Sequence, residues 1–193
     1  MGALKQQFVL LDRDGVINRR VRGGYVTSWD DFEFLPRALD ALRLFAENGY
    51  ATMVISNQAC VGKGLLSASG LDAITRRLLL EVALSGGNIS QIYYCPHTEQ
   101  DGCSCRKPKP GLIERARTEH SFLPEETFLV GDSVSDQIAA EAAGCSSILI
   151  QRDAFLHSRN GESKLRNVAT SLYEAAEMIL ASQHVLAGAQ YRH

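Results

Sequence analysis

The sequence predicts a protein of the α/β class, with a central parallel sheet of about five strands between two layers of helices. Short apolar runs without periodicity alternate along the chain with segments whose apolar residues recur at helical spacing. These runs lack the polar alternation of half-exposed strands, so each strand is expected to be buried on both faces. Because no repeat or linker divides the 193 residues, we expect one domain over residues 1–185 and a flexible tail at 186–193.

The individual elements follow from the same two patterns, taken in chain order. The predicted strands are the apolar runs at residues 8–11, 50–55, 89–94, 127–130 and 147–150. The predicted helices lie at residues 36–48, 69–86, 111–120, 135–143 and 171–182. Pro36 suits the first turn of a helix, and Ser69 with Asp72 three residues later resembles a capping box. Irregular stretches at 18–34, 56–66 and 95–110 adjoin the carboxyl ends of strands, where ligands of open α/β sheets bind.

Composition and charge exclude several classes of protein. Hydrophobic residues make up 45% and charged residues 22%, which argues against disordered, collagen-like and low-complexity chains. The net charge of -2 argues against binding nucleic acid through its phosphates. No apolar run approaches the roughly 18 residues of a membrane span, and residues 1–7 lack the apolar core of a signal peptide. We therefore expect a cytoplasmic monomer without nucleic-acid or membrane partners.

The first predicted strand ends in two carboxylates, Asp12 and Asp14, separated by one residue. Negative charges this close need a cation or a proton between them. Mg²⁺ prefers oxygen ligands and would meet that need. One carboxylate could then act as nucleophile and the other as general acid and base. The alternative is that the pair forms only a solvated turn.

Polar and cationic side chains adjoin other predicted elements at the same edge of the sheet. They are Ser56, Asn57 and Gln58 after the second strand, Asp132 and Asp136 after the fourth strand, and Arg106 and Lys107 before the helix at 111–120. Hydroxyl, amide and cationic groups suit phosphate oxygens, and a further carboxylate suits a metal ion. Taken singly, each has an ordinary alternative: a helix cap, a polar turn or a solvated basic turn.

Three of the five cysteines lie within residues 95–105, together with a histidine. An odd number of clustered cysteines argues against a disulfide framework and favours a metal site in a reducing compartment. Three thiols and one imidazole suit a tetrahedral Zn²⁺ site with no open position, so the zinc would be structural. The expected ligands are Cys95, His97, Cys103 and Cys105. The alternative is a loop of reduced cysteines with a surface histidine.

In combination, these groups resemble the haloacid dehalogenase (HAD) superfamily of phosphatases. The resemblance implies a Rossmann-like, three-layer fold of HAD type. It implies that Asp12 attacks phosphorus to form an aspartyl-phosphate, and that Asp14 protonates the leaving oxygen and later activates water. It assigns Ser56 and Lys107 to the phosphoryl oxygens. It also assigns Asp132, together with Asp12 and Asp14, to a catalytic Mg²⁺.

Residues 12–15, 56–58, 95–97 and 105–108 narrow the resemblance to the histidinol-phosphatase and heptose bisphosphate phosphatase branch. The similarity covers about residues 8–182, and the branch lacks a large cap domain. The resemblance adds substrate-binding residues: Arg13, Gly24, Tyr25, Asn57, Gln58 and Arg106. Ser133 and Asp136 are expected to contact the site residues without touching the substrate themselves.

The candidate substrates differ in charge away from the phosphate that is removed. Arg19, Arg20 and Arg22 follow the aspartates, and Lys63 lies in the next loop. Cations there favour an anionic distal group, although they could also simply be solvated. Together with the resemblance to the heptose branch, an anionic distal group implies hydrolysis of the C7 phosphate of D-glycero-D-manno-heptose 1,7-bisphosphate. The alternatives are histidinol phosphate or another small phosphate ester, a nucleic-acid 3′-phosphate, and a binding module without catalysis.

Overall fold

A computed structural model describes residues 6–151 and 167–189 of the chain. The strands are β1 (Gln7–Leu11), β2 (Tyr50–Asn57), β3 (Gln91–Cys95), β4 (Phe128–Gly131), β5 (Ser146–Ile150) and β6 (Val168–Ala169). The helices are α1 (Ala38–Glu47), α2 (Ala59–Gly62), α3 (Ala68–Leu84), α4 (Gly111–His120), α5 (Val134–Ala142) and α6 (Leu172–Ala189). All six strands pair in parallel in one sheet, in the order β3-β2-β1-β4-β5-β6.

Helices cover both faces of this sheet, as the sequence predicts. On β1, Val9 and Leu11 belong to the apolar cluster that includes buried residues of α1, α3 and α6. Leu10 points to the opposite face and packs in the cluster that contains buried residues of α4 and α5. Successive side chains of a strand point to opposite faces, so a strand covered on both sides must be apolar throughout. This explains the apolar runs without periodicity.

The strand order reverses between β1 and β4, and this reversal creates the crevice in which a site can form. Leu11 pairs with Val130, and the amide of Asp12 donates a 2.9 Å hydrogen bond to the carbonyl of Val130. The residues that follow β1 and β4 therefore lie side by side at the carboxyl edge.

The structure corrects the predicted boundaries of two helices. Arg37 adopts a left-handed conformation, with φ of 60°, so α1 begins after it and Pro36 lies outside the first turn. The N-cap of α3 is Ser67, whose Oγ accepts a hydrogen bond from the amide of Gly70. Ser69 lies inside the helix, so the predicted capping box at that residue is wrong.

Three features were not predicted from sequence. The strand β6 has only two residues and is defined by pairing with β5, which leaves no local pattern to recognise. The one-turn helix α2 lies within a stretch predicted as irregular. Helix α6 continues to Ala189, beyond the predicted end at 182, and residues 190–193 of the predicted tail lie outside the described residues.

No helical cap domain covers the crevice from within the described parts of the chain. Residues 12–37, between β1 and α1, contain only turns and isolated bridges, and residues 96–110 contain one short 3₁₀ turn at Glu99–Asp101. This agrees with the predicted lack of a large cap. Among the described helices, none has the length and apolar character needed to cross a membrane.

Candidate active site

A cavity of about 440 Å³ opens at the carboxyl edge of the sheet, where β1, β2 and β4 end. Its lining includes the carboxylates of Asp12 and Asp14. Four cationic side chains also line it, and these are Arg20, Lys63, Arg106 and Lys107. The polar and small residues among its walls include Gly24, Tyr25, Ser56, Asn57 and Ser133. An excess of cations around two carboxylates suits a small ligand with more than one negative charge.

Lys107 is buried between two carboxylates. Its Nζ lies 3.1 Å from Asp12 Oδ1 and 2.6 Å from Asp136 Oδ1, and it donates a 2.7 Å hydrogen bond to the carbonyl of Ile55. Burial lowers the pKa of Lys107, but the negative charges of the two carboxylates outweigh it and raise that pKa above its usual value. Lys107 therefore carries a fixed positive charge next to Asp12.

The segment that carries Lys107 is anchored to the end of β2. Asn57 Nδ2 donates to the carbonyl of Lys107 at 3.0 Å, and Asn57 Oδ1 accepts from the amide of Lys107 at 3.1 Å. These two bonds fix the backbone of Lys107 relative to the sheet. Ser56, whose hydroxyl accepts from Gln58 Nε2 at 3.1 Å, lies beside them in the lining.

Asp14 is held by three residues. Arg13 Nη2 donates to Oδ1 at 3.0 Å and to Oδ2 at 2.9 Å, Asn18 Nδ2 donates to Oδ1 at 2.8 Å, and Gln58 Nε2 donates to Oδ2 at 2.7 Å. Burial by itself would raise the pKa of Asp14, but the charge of Arg13 and these hydrogen bonds hold it below its usual value. Asn18 has no exposed surface, and its role was not predicted, although it follows the Asp-x-Asp-Gly motif.

Two glycines let the other carboxylates approach. Gly15 has a φ of +92°, and a Cβ atom there would overlap the carboxylate of Asp132. A Cβ atom at Gly131 would overlap the side chain of Asp136. A larger residue at either position would displace an acidic group from the site.

Three carboxylates converge at this point. One oxygen each from Asp12, Asp132 and Asp136 lies within 4.8 Å of the others. Burial raises the pKa of Asp12 above its usual value and that of Asp132 to about 6, in spite of the opposing charges of Lys107 and Arg20.

This arrangement of hard oxygen donors fits Mg²⁺. The guanidinium of Arg20 contacts two of these oxygens, which shows that the position favours a cation. Its Nη2 lies 2.6 Å from Asp132 Oδ1 and donates to the carbonyl of Asp14 at 3.4 Å. Asp136 is occupied by Lys107 and by the hydroxyl of Ser133. The remaining donors are the predicted ones: the carboxylates of Asp12 and Asp132 and the carbonyl of Asp14.

Of the four cations that the sequence predicts near the substrate, the structure places two in the cavity wall and two outside it. Lys63 and Arg20 line the cavity, and Lys63 Nζ lies 5.3 Å from the centre of the Tyr25 ring. Arg19 instead forms an exposed ion pair with Glu33 at 2.7 Å, and neither it nor Arg22 lines the cavity. Fewer of these cations therefore line the cavity than the sequence predicts.

Two predicted substrate ligands lie elsewhere. The side chain of Arg13 has no exposed surface and contacts Asp14 from behind, so it cannot reach a ligand in the cavity. Gln58 is 1% exposed and also contacts Asp14 from inside the protein. The prediction that these two side chains contact substrate therefore needs correction, because both are buried and donate hydrogen bonds to Asp14.

The four predicted zinc ligands converge at the end of β3. Their ligand atoms lie within 4.8 Å of one another, with Cys105 Sγ 3.3 Å from Cys95 Sγ and 3.4 Å from Cys103 Sγ. His97 Nδ1 lies 3.2 Å from Cys105 Sγ. Three sulfurs and one imidazole nitrogen at these separations fit one tetrahedral Zn²⁺. Arg106 is joined to this loop, since its Nη1 donates to the carbonyl of His97 at 3.3 Å.

Comparison with known proteins places these features in a family. The family model described as HAD-hydrolase-like matches residues 104–175. The chain is 41% identical over 151 residues to the D-glycero-alpha-D-manno-heptose-1,7-bisphosphate 7-phosphatase of Mycobacterium bovis, covering 75% of this chain and 80% of that protein. It is 37% identical over 144 residues to the corresponding beta-anomer phosphatase of Neisseria meningitidis, covering 75% of this chain and 76% of that protein.

A solved structure agrees with these sequence relatives. The D,D-heptose 1,7-bisphosphate phosphatase of B. bronchiseptica, crystallised with magnesium and phosphate, superposes with a TM-score of 0.83 at 31% identity. The match covers 92% of this chain and 99% of that one.

Proposed function

The chain belongs to the haloacid dehalogenase superfamily of phosphatases, and we propose that it hydrolyses the C7 phosphate ester of D-glycero-D-manno-heptose 1,7-bisphosphate. The observation that carries this substrate class is the presence of Lys63 and Arg106 in the cavity in addition to Lys107. A second phosphate at the far end of the substrate would be attracted by these cations, whereas the ammonium and imidazole of histidinol phosphate would be repelled. The names of the relatives support the same substrate.

Asp12 acts as the nucleophile in this proposal. Its Oδ1 accepts a hydrogen bond from the amide of Arg13 at 2.7 Å and lies 3.1 Å from Lys107 Nζ, so two contacts hold this oxygen in place. A carboxylate oxygen forms a bond to phosphorus while the bond from phosphorus to the substrate oxygen breaks. Lys107 and Ser56 hold the phosphoryl oxygens, and the charge of Lys107 stabilises negative charge in the transition state.

Asp14 serves both halves of the reaction. It donates a proton to the leaving oxygen of the sugar, and it then accepts a proton from the water that attacks the aspartyl-phosphate. The low pKa of free Asp14 suits the second step. A bound phosphate brings negative charge near the carboxylate and raises its proton affinity, which suits the first step.

Asp12, Asp132 and the carbonyl of Asp14 would hold Mg²⁺, which when bound would neutralise charge on the phosphoryl group. Cys95, His97, Cys103 and Cys105 would hold Zn²⁺, and since all four positions are filled by protein this ion would be structural. The loop that carries these four ligands, residues 95–105 and here called the zinc loop, then positions Arg106 and the Lys107 segment at the cavity.

An assay of phosphate release tests the proposed substrate. We expect kcat/KM for at least one anomer of D-glycero-D-manno-heptose 1,7-bisphosphate to exceed that for histidinol phosphate by about 10²-fold or more, the size of a difference of a few kcal/mol in transition-state binding. The two anomers are assayed separately because relatives of both preferences are known. A preference for histidinol phosphate would reject the proposal in favour of its alternative.

A further inference from the structure

Among the described residues, Arg13 has the largest completely buried side chain. In the sequence it stands between Asp12 and Asp14, the two predicted catalytic aspartates. Its guanidinium carbon lies 6.0 Å from the centre of the Phe32 ring and 5.8 Å from that of the Tyr94 ring. Phe32 is in turn stacked on Trp29 at 4.8 Å. The guanidinium therefore sits among aromatic rings that restrict its movement, away from the cavity.

The hydrogen bonds of this buried cation are directed at a single carboxylate. Nη2 contacts both oxygens of Asp14, at 3.0 and 2.9 Å. Nε and Nη1 are buried with no acceptor within 3.5 Å among the described residues, although the Tyr94 side chain also interacts with the guanidinium. Leaving buried donors unsatisfied costs free energy, and such exceptions call for an explanation. The explanation cannot be a contact with substrate, because the side chain is closed off from the cavity.

We propose that Arg13 is a positioning residue, which holds the carboxylate of Asp14 in the orientation needed for proton transfer. The inference rests on the proposed function, in which Asp14 is the general acid and base. One Nη2 group shared by both oxygens fixes the direction of the carboxylate, while Asn18 and Gln58 each bind one oxygen and fix its rotation. Asp14 itself reaches the cavity, with 20% of its side chain exposed.

Lysine cannot replace this arrangement fully. A guanidinium is planar and can be clamped between aromatic rings, whereas an ammonium on a flexible stem has no fixed plane. Arg13→Lys would keep the charge beside Asp14 but would lose the fixed direction. Comparing Arg13→Lys, which keeps the charge, with Arg13→Met, which removes it, therefore separates the effect of orientation from that of charge.

The consequence appears in the dependence on the leaving group. A sugar alkoxide needs a proton from Asp14 to leave, but p-nitrophenolate leaves without one. A misplaced Asp14 would therefore slow phosphoryl transfer from an alkyl phosphate and leave transfer from p-nitrophenyl phosphate nearly unchanged. Hydrolysis of the aspartyl-phosphate would be slowed for both substrates, because Asp14 also activates the water.

The test is rapid-mixing kinetics of Arg13→Met, Arg13→Lys and Asp14→Asn, with Arg115→Met as the matched control. Arg115 also pairs with a carboxylate, Glu119 at 2.8 Å, and lies 5.4 Å from an aromatic ring, Tyr93, but it is remote from the cavity. For Arg13→Met we expect kcat on the sugar bisphosphate to fall by about 10²- to 10⁴-fold, the usual contribution of general acid-base catalysis. With p-nitrophenyl phosphate we expect a burst equal to the folded enzyme concentration, followed by slow turnover.

Arg13→Lys is expected to show the same burst with a smaller loss of kcat, Asp14→Asn to reproduce Arg13→Met, and Arg115→Met to match the wild type. A variant that was merely destabilised would lose amplitude and rate equally for both substrates, and that result, or unchanged kinetics, would overturn the proposal. Full activity in Arg13→Lys would show that charge alone matters and would also overturn it.

The controls keep this inference separate from the proposed function. If wild type failed to hydrolyse the heptose bisphosphate, the proposed substrate would be wrong, and the same comparison would be made with whichever alkyl phosphate it does hydrolyse. If Asp14→Asn gave no burst, the role of Asp14 would be wrong and the proposal for Arg13 would fall with it.

Discussion

At the scale of single residues, the proposed mechanism depends first on the charge of Asp12. Asp12→Asn keeps the shape of the side chain but removes the attacking oxygen anion. We expect turnover to fall by about 10⁴-fold or more, as for other covalent nucleophiles. Lys107 keeps its ion pair with Asp136, so the fold should persist. Phosphate release and a thermal melt of the same sample check both statements, and turnover within tenfold of wild type would reject Asp12 as nucleophile.

Gly15 combines a positive φ with close contact to Asp132, a proposed Mg²⁺ ligand. Gly15→Ala would place a methyl group against Asp132 in a backbone conformation that disfavours alanine. We expect the Mg²⁺ concentration for half-maximal activity to rise by about tenfold or more, the size of effect found when a ligand is misplaced. Gly49→Ala is the control, since Gly49 also has positive φ, of 76°, but has no atom within 4 Å of the added methyl. It should lower stability by about 1 kcal/mol and leave Mg²⁺ dependence unchanged.

Arg106 and Lys107 are neighbours with different surroundings. Lys107 is 4% exposed and touches Asp12, whereas Arg106 is only partly buried and lines the outer cavity. We expect Arg106→Ala to raise KM for the sugar bisphosphate by about tenfold more than for a monophosphate of the same sugar, because the proposal assigns its guanidinium to the distal phosphate. Steady-state kinetics on both substrates measures this. An equal increase for the two would show that Arg106 does not bind the second phosphate.

Lys107→Ala should instead lower kcat for both substrates, because its charge acts on the reacting phosphoryl group. It should also destabilise the fold, since Asp12 and Asp136 would then be buried without their cation.

At the scale of elements, the loop that carries the predicted zinc ligands lies between β3 and α4, directly before Arg106 and Lys107 of the cavity wall. The amide of Gln58 donates to the carbonyl of Cys95 at 2.7 Å, and Lys109 Nζ donates to the carbonyl of Cys103 at 2.7 Å. The loop also lies against α4, since a Cβ atom at Gly111 would overlap the carbonyl of Ser104. Loss of the proposed zinc ion would therefore disturb both ends of the loop.

Cys103→Ser is expected to remove the bound zinc and to lower the melting temperature by at least about 5 °C, because zinc binding is coupled to the folding of its ligands. Elemental analysis and a thermal melt check this. The control is Cys145→Ala, because Cys145 is buried outside the cluster. This variant should retain one zinc per chain. Absence of zinc from the native protein would remove the structural site from the proposal.

At the scale of the whole molecule, the reversal of strand order brings acidic groups from β1 and β4 together at one edge. We expect such crowding to destabilise the metal-free protein and a divalent cation to relieve it. EDTA treatment should abolish activity, and Mg²⁺ alone should restore it.

Saturating Mg²⁺ should also raise the melting temperature by about 5–10 °C, the shift expected for a ligand at roughly 100 times its dissociation constant. Asp132→Asn should lose this shift, while the exposed Asp72→Asn should keep it. A melting temperature that Mg²⁺ does not change in the wild type would argue against the site.

The sequence was sufficient to locate the candidate site because a parallel sheet has only one carboxyl edge. Asp12, Asp132 and Asn57 come from distant parts of the chain, yet each ends a recognisable apolar run, and such ends must meet. The zinc cluster was recognisable for a simpler reason. Its four ligands lie within eleven residues, from Cys95 to Cys105, so one loop brings them together.

The directions of individual side chains were decided only in three dimensions. Arg13 stands between two aspartates in the sequence, but its side chain is buried inside the protein near the rings of Phe32 and Tyr94. Gly15 became necessary only because Asp132, far away in sequence, approaches it. The sequence by itself determined the class of sheet, the edge that carries the chemistry and the types of group there. The tertiary structure decided which groups face the cavity, because that depends on packing between segments that no local pattern records.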